Sequence, residues 1–441
     1  MLKRALLTIS LIAVPLWAQV DTGTAGIGAG LQSGSGMYAP PLVSGDSYPS
    51  TYGAGERSNY LRGGLIFSTA YSDNVSGGAT PQSDITYSVW PTISLDKQTP
   101  RLLLDFTYSP GFTLYQRNSS LDAANHSVGI DFSYRLSPHV TLSAHDRLSK
   151  LSNLFTQPDA LASTPVSGAA QAPTVAVIAP SANELTNSGN VGVTYQFGAD
   201  SMVGVSGGVS NLHFLDSSQA QGLYDSNAAK GSAFYNHRLA GRHYIGADYE
   251  YSRFVSYLNG SNETRTQAIF LFYTLYLKSK LSISVSGGAQ HTDTAQTPLP
   301  DARSWSPAST ASLGWQARRT NIAGSYSRIV TGGGGLVGAF HSNNAAASVR
   351  QLLTRNWNVG ATGNYSIYKN VTPAFVLVTP GGHSISGTAT IERKLGEHWL
   401  ADLRYTRLHQ TYSSIALIAN APNTNVESVS ISYQFTRPLG R

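Results

Sequence analysis

The chain contains no cysteine. That excludes a disulfide framework, thiol redox chemistry, thiolate-bound zinc and a lipid-modified N-terminal cysteine. Charge is scarce as well. Only 12% of the 441 residues are Asp, Glu, Lys or Arg, against roughly a quarter in ordinary soluble domains. A cytoplasmic enzyme coats its surface with Lys and Glu; this composition suits a sheet with one face against something apolar. No helix-length apolar run occurs beyond the N-terminus. The strongest, AIFLFYTLYL (Ala268–Leu277), has ten residues, which suits a membrane-spanning strand rather than the roughly 20 residues of a spanning helix. The net charge of +6, or +4 without Lys3 and Arg4, comes with no Lys/Arg cluster that would track phosphates, so nucleic acid is not an expected partner.

What is present is Gly (43), Tyr (24) and much Ser, Thr and Asn. At the N-terminus Lys3 and Arg4 precede ALLTISLIAVPLWA (Ala5–Ala18). This reads as an export signal cut near Ala18-Gln19. Residues 19–60 are rich in Gly, Ser and Pro and read as a flexible lead-in. Residues 61–441 then form the main unit.

Over that unit apolar and small polar residues alternate. Val128, Ile130, Phe132 and Tyr134 alternate with Ser127, Gly129, Asp131 and Ser133. Leu102, Leu104, Phe106 and Tyr108 oppose Asp105, Thr107 and Ser109. Val429, Ile431, Tyr433 and Phe435 oppose Ser428, Ser430, Ser432 and Gln434. A period of two is strand geometry. The spacers alternate too. Short ones fall at 137–138, 198–200, 240–242, 279–280, 318–319, 354–356 and 396–397, and long ones at 117–124, 152–184, 214–224, 257–262, 293–306, 332–339, 370–381 and 413–424. Such spacing predicts an up-and-down antiparallel meander of about eighteen strands (16–18), from about Leu61 to Phe435.

The polar face carries Ser, Thr, Asn and Gly rather than Lys and Glu. A soluble sandwich would expose more charge. In a bilayer every backbone group must be paired internally, and strands achieve that only in a closed sheet. The expected fold is therefore an all-β transmembrane barrel of the bacterial outer-membrane type, with lipid outside and water inside. Tyr108, Tyr115, Trp357, Tyr365, Trp399 and Tyr412 are placed for interfacial girdles. Asp146 falls on the apolar face of Val140, Leu142 and Ala144. Either a bulge shifts the phase there or the carboxylate sits at the rim.

HSVGIDFSYRLSPHVTLSAHDRLS (His126–Ser149) and GLIFSTAYSDNVSGG (Gly64–Gly78) resemble the β-barrel porin family of bacterial outer membranes, some members of which accompany exopolysaccharide-export genes. The likeness is strongest over residues 61–150. It implies an outer-membrane barrel without catalytic residues. Barrels of this type often end on an aromatic residue read by the barrel-assembly machinery, which makes Phe435 the candidate assembly signal; TRPLGR follows it.

Motifs for other chemistry are weak. GVSGG (Gly204–Gly208) matches the G-x-S-x-G hydrolase pattern, but lacks the strand–elbow–helix context that would activate Ser206. GDS (Gly45–Ser47) sits in the lead-in without a partner, and GGGG (Gly332–Gly335) has no following Lys and reads as a loop tip. The eleven histidines are scattered and meet no ligand spacing, so rim positions are expected and no metal or cofactor is. Ser143 or Ser149 with His145 is a Ser–His arrangement on paper only. Asp105, Asp131, Arg147, Asp248, Glu250, Arg350, Glu392, Asp402 and Arg404 fall on the polar face and are the candidate pore-lining charges.

No enzymatic role is expected. The leading function is passive diffusion of small hydrophilic solutes through a porin-like channel, narrowed by the long loop Ser152–Glu184. One alternative is an accessory barrel for exopolysaccharide export, with Trp90, Tyr115 and Tyr368 as a stacking track. Another is a structural or adhesive barrel with an occluded lumen. Expected partners are outer-membrane lipid and the assembly machinery, with solutes or polysaccharide as cargo. The sequence shows no oligomer interface.

Overall fold

The computed structural model describes residues 59–75, 81–152, 183–198, 200–216, 222–257, 261–277, 281–296, 299–317, 319–333, 335–371, 381–412 and 423–439. The expected signal, nearly all of the lead-in and most of the loop Ser152–Glu184 lie outside the described residues, as does Gly45–Ser47.

The strands are β1 (Asn59–Ser72), β2 (Asp84–Gln98), β3 (Leu102–Tyr115), β4 (Ala123–Arg135), β5 (Val140–Leu151) and β6 (Glu184–Gln196). Next come β7 (Ser201–Phe214), β8 (Ser226–Ala240), β9 (His243–Tyr257), β10 (Ser261–Leu277), β11 (Leu281–Gln296) and β12 (Leu299–Gln316). The last six are β13 (Thr320–Gly333), β14 (Leu336–Leu352), β15 (Trp357–Asn370), β16 (Gly382–Lys394), β17 (Trp399–Tyr412) and β18 (Asn423–Pro438). Each pairs antiparallel with the next, and β18 returns to β1. The sheet is a closed, eighteen-stranded antiparallel barrel, as the alternation predicts. Closure leaves no sheet edge, the condition for strands to stand in hydrocarbon.

Two expected loops turn out otherwise. Residues 293–296 and 299–306 continue the strands, with Thr292 opposite Ser304 and Asp293 opposite Arg303. Residues 332–339 are largely strand, since β13 ends at Gly333 and β14 begins at Leu336. Their Gly, Ser and Pro content favours turns, but cross-strand pairing outweighs that local preference.

The outer face is apolar. Val191, Val205, Ile269, Leu271, Leu403 and Val429 project from it and are exposed. Near the tight-turn end aromatic rings pack side by side. Tyr195 and Phe197 lie 6.4 Å apart, Phe197 and Tyr235 6.2 Å, and Trp399 and Tyr433 5.1 Å. Arg393 sits 5.0 Å over Trp357. At the loop end Tyr71, Tyr87, Tyr257, Trp305 and Tyr405 form the second belt. Two residues expected in the girdles, Tyr115 and Tyr412, belong elsewhere: both are buried on the inner side. Each is the last residue of its strand, where the alternation turns it inward.

Asp146 stays in phase. The register runs unbroken from Leu148 opposite Val128 to Ala144 opposite Phe132, so no bulge intervenes. Its carboxylate faces outward with Leu142 and Leu148. It accepts a hydrogen bond from Asn187 Nδ2 at 3.3 Å and stands beside Gly189, the residue opposite it.

The end of the chain is also more regular than the tail TRPLGR suggests. Thr436, Arg437 and Pro438 pair with Arg62, Leu61 and Tyr60, so the ladder closes beyond Phe435.

Candidate functional site: the lumen and its constriction

Inward residues are the alternate ones. On β10 through β13 that face bears no Asp, Glu, Lys or Arg among the described residues. Instead hydroxyls bridge neighbouring strands: Thr274 to Ser284 at 2.8 Å, Ser286 to Thr310 at 2.7 Å, and Thr264 to Thr294 at 3.3 Å. Small hydroxyls suit the position because each satisfies a partner across one rung without long-chain entropy loss.

Charge gathers elsewhere, and the structure groups the sequence candidates into three clusters. The first crosses β2 to β5. Asp96 stands opposite Asp105, Asp105 opposite Asp131, and Asp131 opposite His145. Three carboxylates thus occupy one row on adjacent strands, where like charges repel. Arg62 binds Asp96 at 2.7 Å and Arg147 reaches Asp131 at 3.4 Å, so cations flank the row. His145 bonds Asp131 through Nδ1, and its Nε2 accepts from Arg147 at 3.2 Å. The second cluster is on β14 to β17. Arg350 pairs with Glu392 at 2.6 Å, Asn358 donates to the same carboxylate at 2.8 Å, and Arg404 lies 3.8 Å from Asp402. Asp248 and Glu250 share the inner face of β9, and Glu250 forms the third cluster with Lys230, whose ammonium is 2.8 Å away. All nine candidates therefore line the inner wall, but not as one ring. The alternation gives the face; the register that decides partners is set by turn lengths. Arg62, Asp96 and Lys230 escaped the sequence reading, though the same alternation places them inward.

His145 is thus a lumenal residue and not a rim one. His139 and His243 do sit at the rim, bonded to the Gln196 carbonyl at 2.9 Å and the Tyr273 hydroxyl at 2.7 Å. Of the serines singled out in the sequence none meets a histidine, whereas Ser201, beside a tight turn, meets His237 Nδ1 at 2.9 Å. Ser143 faces the Gly192 carbonyl at 3.5 Å, Ser149 meets Thr186 at 2.6 Å, and Ser206 meets Ser232 at 2.7 Å in mid-strand. No group of three metal-ligating side chains occurs among the described residues.

The loop-end half is narrowed by the barrel's own wall. β12 pairs with β13 only from Gln316 opposite Asn321 to Ser309 opposite Arg328. Above that rung β13 parts from β12 and its hairpin with β14 folds inward, while β14 stays paired to β15 as far as Phe340 opposite Asn370. Ile329 packs on Ala268, Phe270 and Ala308. Gly332 lies on Phe254, where a Cβ would come within 2.8 Å of the ring. The Gly335 carbonyl accepts from Tyr224 N–H at 2.8 Å, and Gly335 (φ 98°) and Gly338 (φ 103°) take backbone conformations that favour glycine. Leu336, Ala339 and Phe340 are buried. Beneath the hairpin a cavity is bounded by Ser210, Lys230, Glu250, Ser252, Gln290 and Val330. Gly332, Gly333 and Gly335 lie at a tip, as expected, but at one packed on the barrel's inner side, because Ile329, Val330, Leu336 and Phe340 gain by leaving water.

Trp90 has no exposed surface. It lies across Gly111 and packs with Ile66 and Leu151. Tyr115 and Tyr368 are buried as well. The three rings offer no open stacking track for sugar.

No family model matches the chain, and no curated protein does. Among solved structures, Pseudomonas aeruginosa OccK3 (OpdO) aligns over 86% of this chain and 96% of its own, at 11% identity and a TM-score of 0.42. OccK2 (OpdF) from the same organism, in complex with glucuronate, aligns over 86% and 98% at 9% identity and 0.43. The outer membrane protein OprD of P. aeruginosa aligns over 86% and 94% at 9% and 0.41. These are similarities only; the eighteen-stranded barrel stands on the pairing described above.

Proposed function

We propose that the protein is an outer-membrane channel for passive diffusion of small hydrophilic solutes. A closed barrel with an apolar exterior and an inner face of hydroxyls and ion pairs carries this reading, since eighteen strands enclose more space than side chains fill. The tight-turn end faces the periplasm and the loops face outward, with the export signal and the assembly machinery as the route there. The Asp96–Asp105–Asp131 row biases the lumen toward cations, while the β13–β14 hairpin limits size. Reconstitution in planar bilayers tests the function: stepwise conductance with cation preference is expected. A protein that stays folded and monodisperse in buffer without detergent or lipid would refute the membrane assignment.

The hairpin also favours a second reading, a structural barrel closed at its loop end. Buried Leu336, Phe340 and Tyr412 on the inner side of that half support it. Bilayer silence from correctly assembled protein would select it.

A further inference from the structure

On the channel function proposed above, we propose that Gln290 is the positioning residue that holds the β13–β14 hairpin inside the lumen and so sets the channel's width.

At the base of the β12–β13 hairpin Ala317 N–H donates to the Thr320 carbonyl at 2.7 Å. In an antiparallel ladder alternate residues aim both backbone groups at the same neighbour. Odd-numbered residues of β12 therefore face β13. Ser309 opposite Arg328 is the last rung formed. The next hydrogen-bonding rung would join Pro307 to Val330, and proline has no N–H to give. The wall ladder is impaired at the very rung where the two strands part.

Val330 finds its partner elsewhere. Its N–H donates to Gln290 Oε1 at 2.8 Å, and its carbonyl accepts from Gln290 Nε2 at 3.2 Å. Gln290 projects inward from β11, between Ala268 of β10 and Ser306 of β12. A side-chain amide carries the same donor and acceptor as a peptide group, so Gln290 serves as a substitute rung for a strand that has left the wall. Val330 is buried at 3% exposure. Without the amide both its backbone groups would be sealed from water with nothing to bond, which penalises the docked hairpin alone. The apolar contacts of Ile329 and Gly332 add attraction, but burial of that kind is non-directional. The amide fixes where the hairpin stops.

The absence of native cysteine gives a clean background for the test. Ala339 is 1% exposed, so Ala339→Cys in full-length protein should react slowly with a soluble maleimide. Adding Gln290→Leu should speed labelling at least about thirtyfold, as two orphaned buried backbone groups would, and should enlarge single-channel current. A Cβ on Gly332 would lie 3.3 Å from that of Phe254, close to disulfide spacing. Oxidised Gly332→Cys with Phe254→Cys should therefore return the current of the Gln290→Leu protein to a narrow level, and reduction should release it. Unchanged labelling overturns the proposal, as does extra current that survives the disulfide. Faster labelling in a protein that is silent throughout upholds the role of Gln290 and overturns the channel function instead. If Gln290→Leu does not assemble, Gln290→Glu keeps the acceptor and loses the donor; labelling equal to the parent then overturns the proposal.

Discussion

The ring of Phe435 lies over Gly63, its cross-strand partner at the seam where β18 meets β1; a Cβ on Gly63 would fall 2.3 Å from the ring. An aromatic laid over a glycine shields backbone that would otherwise be bare and pins the register of the closing pair. Phe435→Ala should lower barrel stability by about 1 kcal/mol. Folded and unfolded fractions on unboiled gels, followed through a urea series, measure this. Equal midpoints for variant and parent would confine Phe435 to its proposed part in assembly.

Asp146 places a carboxylate among Leu142 and Leu148 on the lipid side, with Asn187 as its bonded neighbour. An acid facing hydrocarbon costs less than the roughly 2–4 kcal/mol of a basic group at mid-bilayer, but it still costs. Asp146→Leu should therefore raise the unfolding free energy in lipid vesicles by about 1 kcal/mol, and with it the midpoint. A lowered midpoint would mean that something other than lipid covers this spot.

Asp105 is the central member of the carboxylate row. One charge about 6 Å from a passing ion is worth about 0.7 kcal/mol in water. Because the same charge disfavours an anion by as much, Asp105→Asn should cut the cation-over-anion permeability ratio by up to about tenfold. Reversal potentials under a salt gradient report it, and an unchanged ratio would remove the row from the selectivity mechanism.

Lys230 and Glu250 form an ion pair with side-chain exposures of 7% and 12% beneath the hairpin. Removing one member of a buried pair costs about 3 kcal/mol or more, whereas replacing both with apolar groups is often neutral. Lys230→Met should destabilise the barrel strongly, and Lys230→Met with Glu250→Leu should recover most of the loss. Two single variants and the double, unfolded under identical conditions, supply the cycle.

The strand positions were legible because a wall between lipid and water imposes a period of two on every residue. The inner placement of Asp105 and Glu392 follows from that period alone. Partnership did not follow, since pairing Arg350 with Glu392 requires the β14–β15–β16 register. The constriction was hidden for a different reason. Gly332–Gly335 has the composition of a surface turn, and nothing local distinguishes a turn in water from one packed on Phe214 and Leu223. Pro307, like Pro91 and Pro110 at the gap between β2 and β3, announces a broken rung by its chemistry, and its meaning appears only once Val330 is known to stand opposite.

Among the described residues, seventeen of the eighteen strand pairings join strands consecutive in the chain, and only β1 with β18 joins remote ones. Biogenesis can therefore proceed one hairpin at a time with small loop-closure entropy at each step. The whole cost of bringing distant segments together falls on a single late event. An agent that blocks that event would arrest the nascent chain as an open ribbon with two raw edges, vulnerable to proteolysis although almost every local contact is already made.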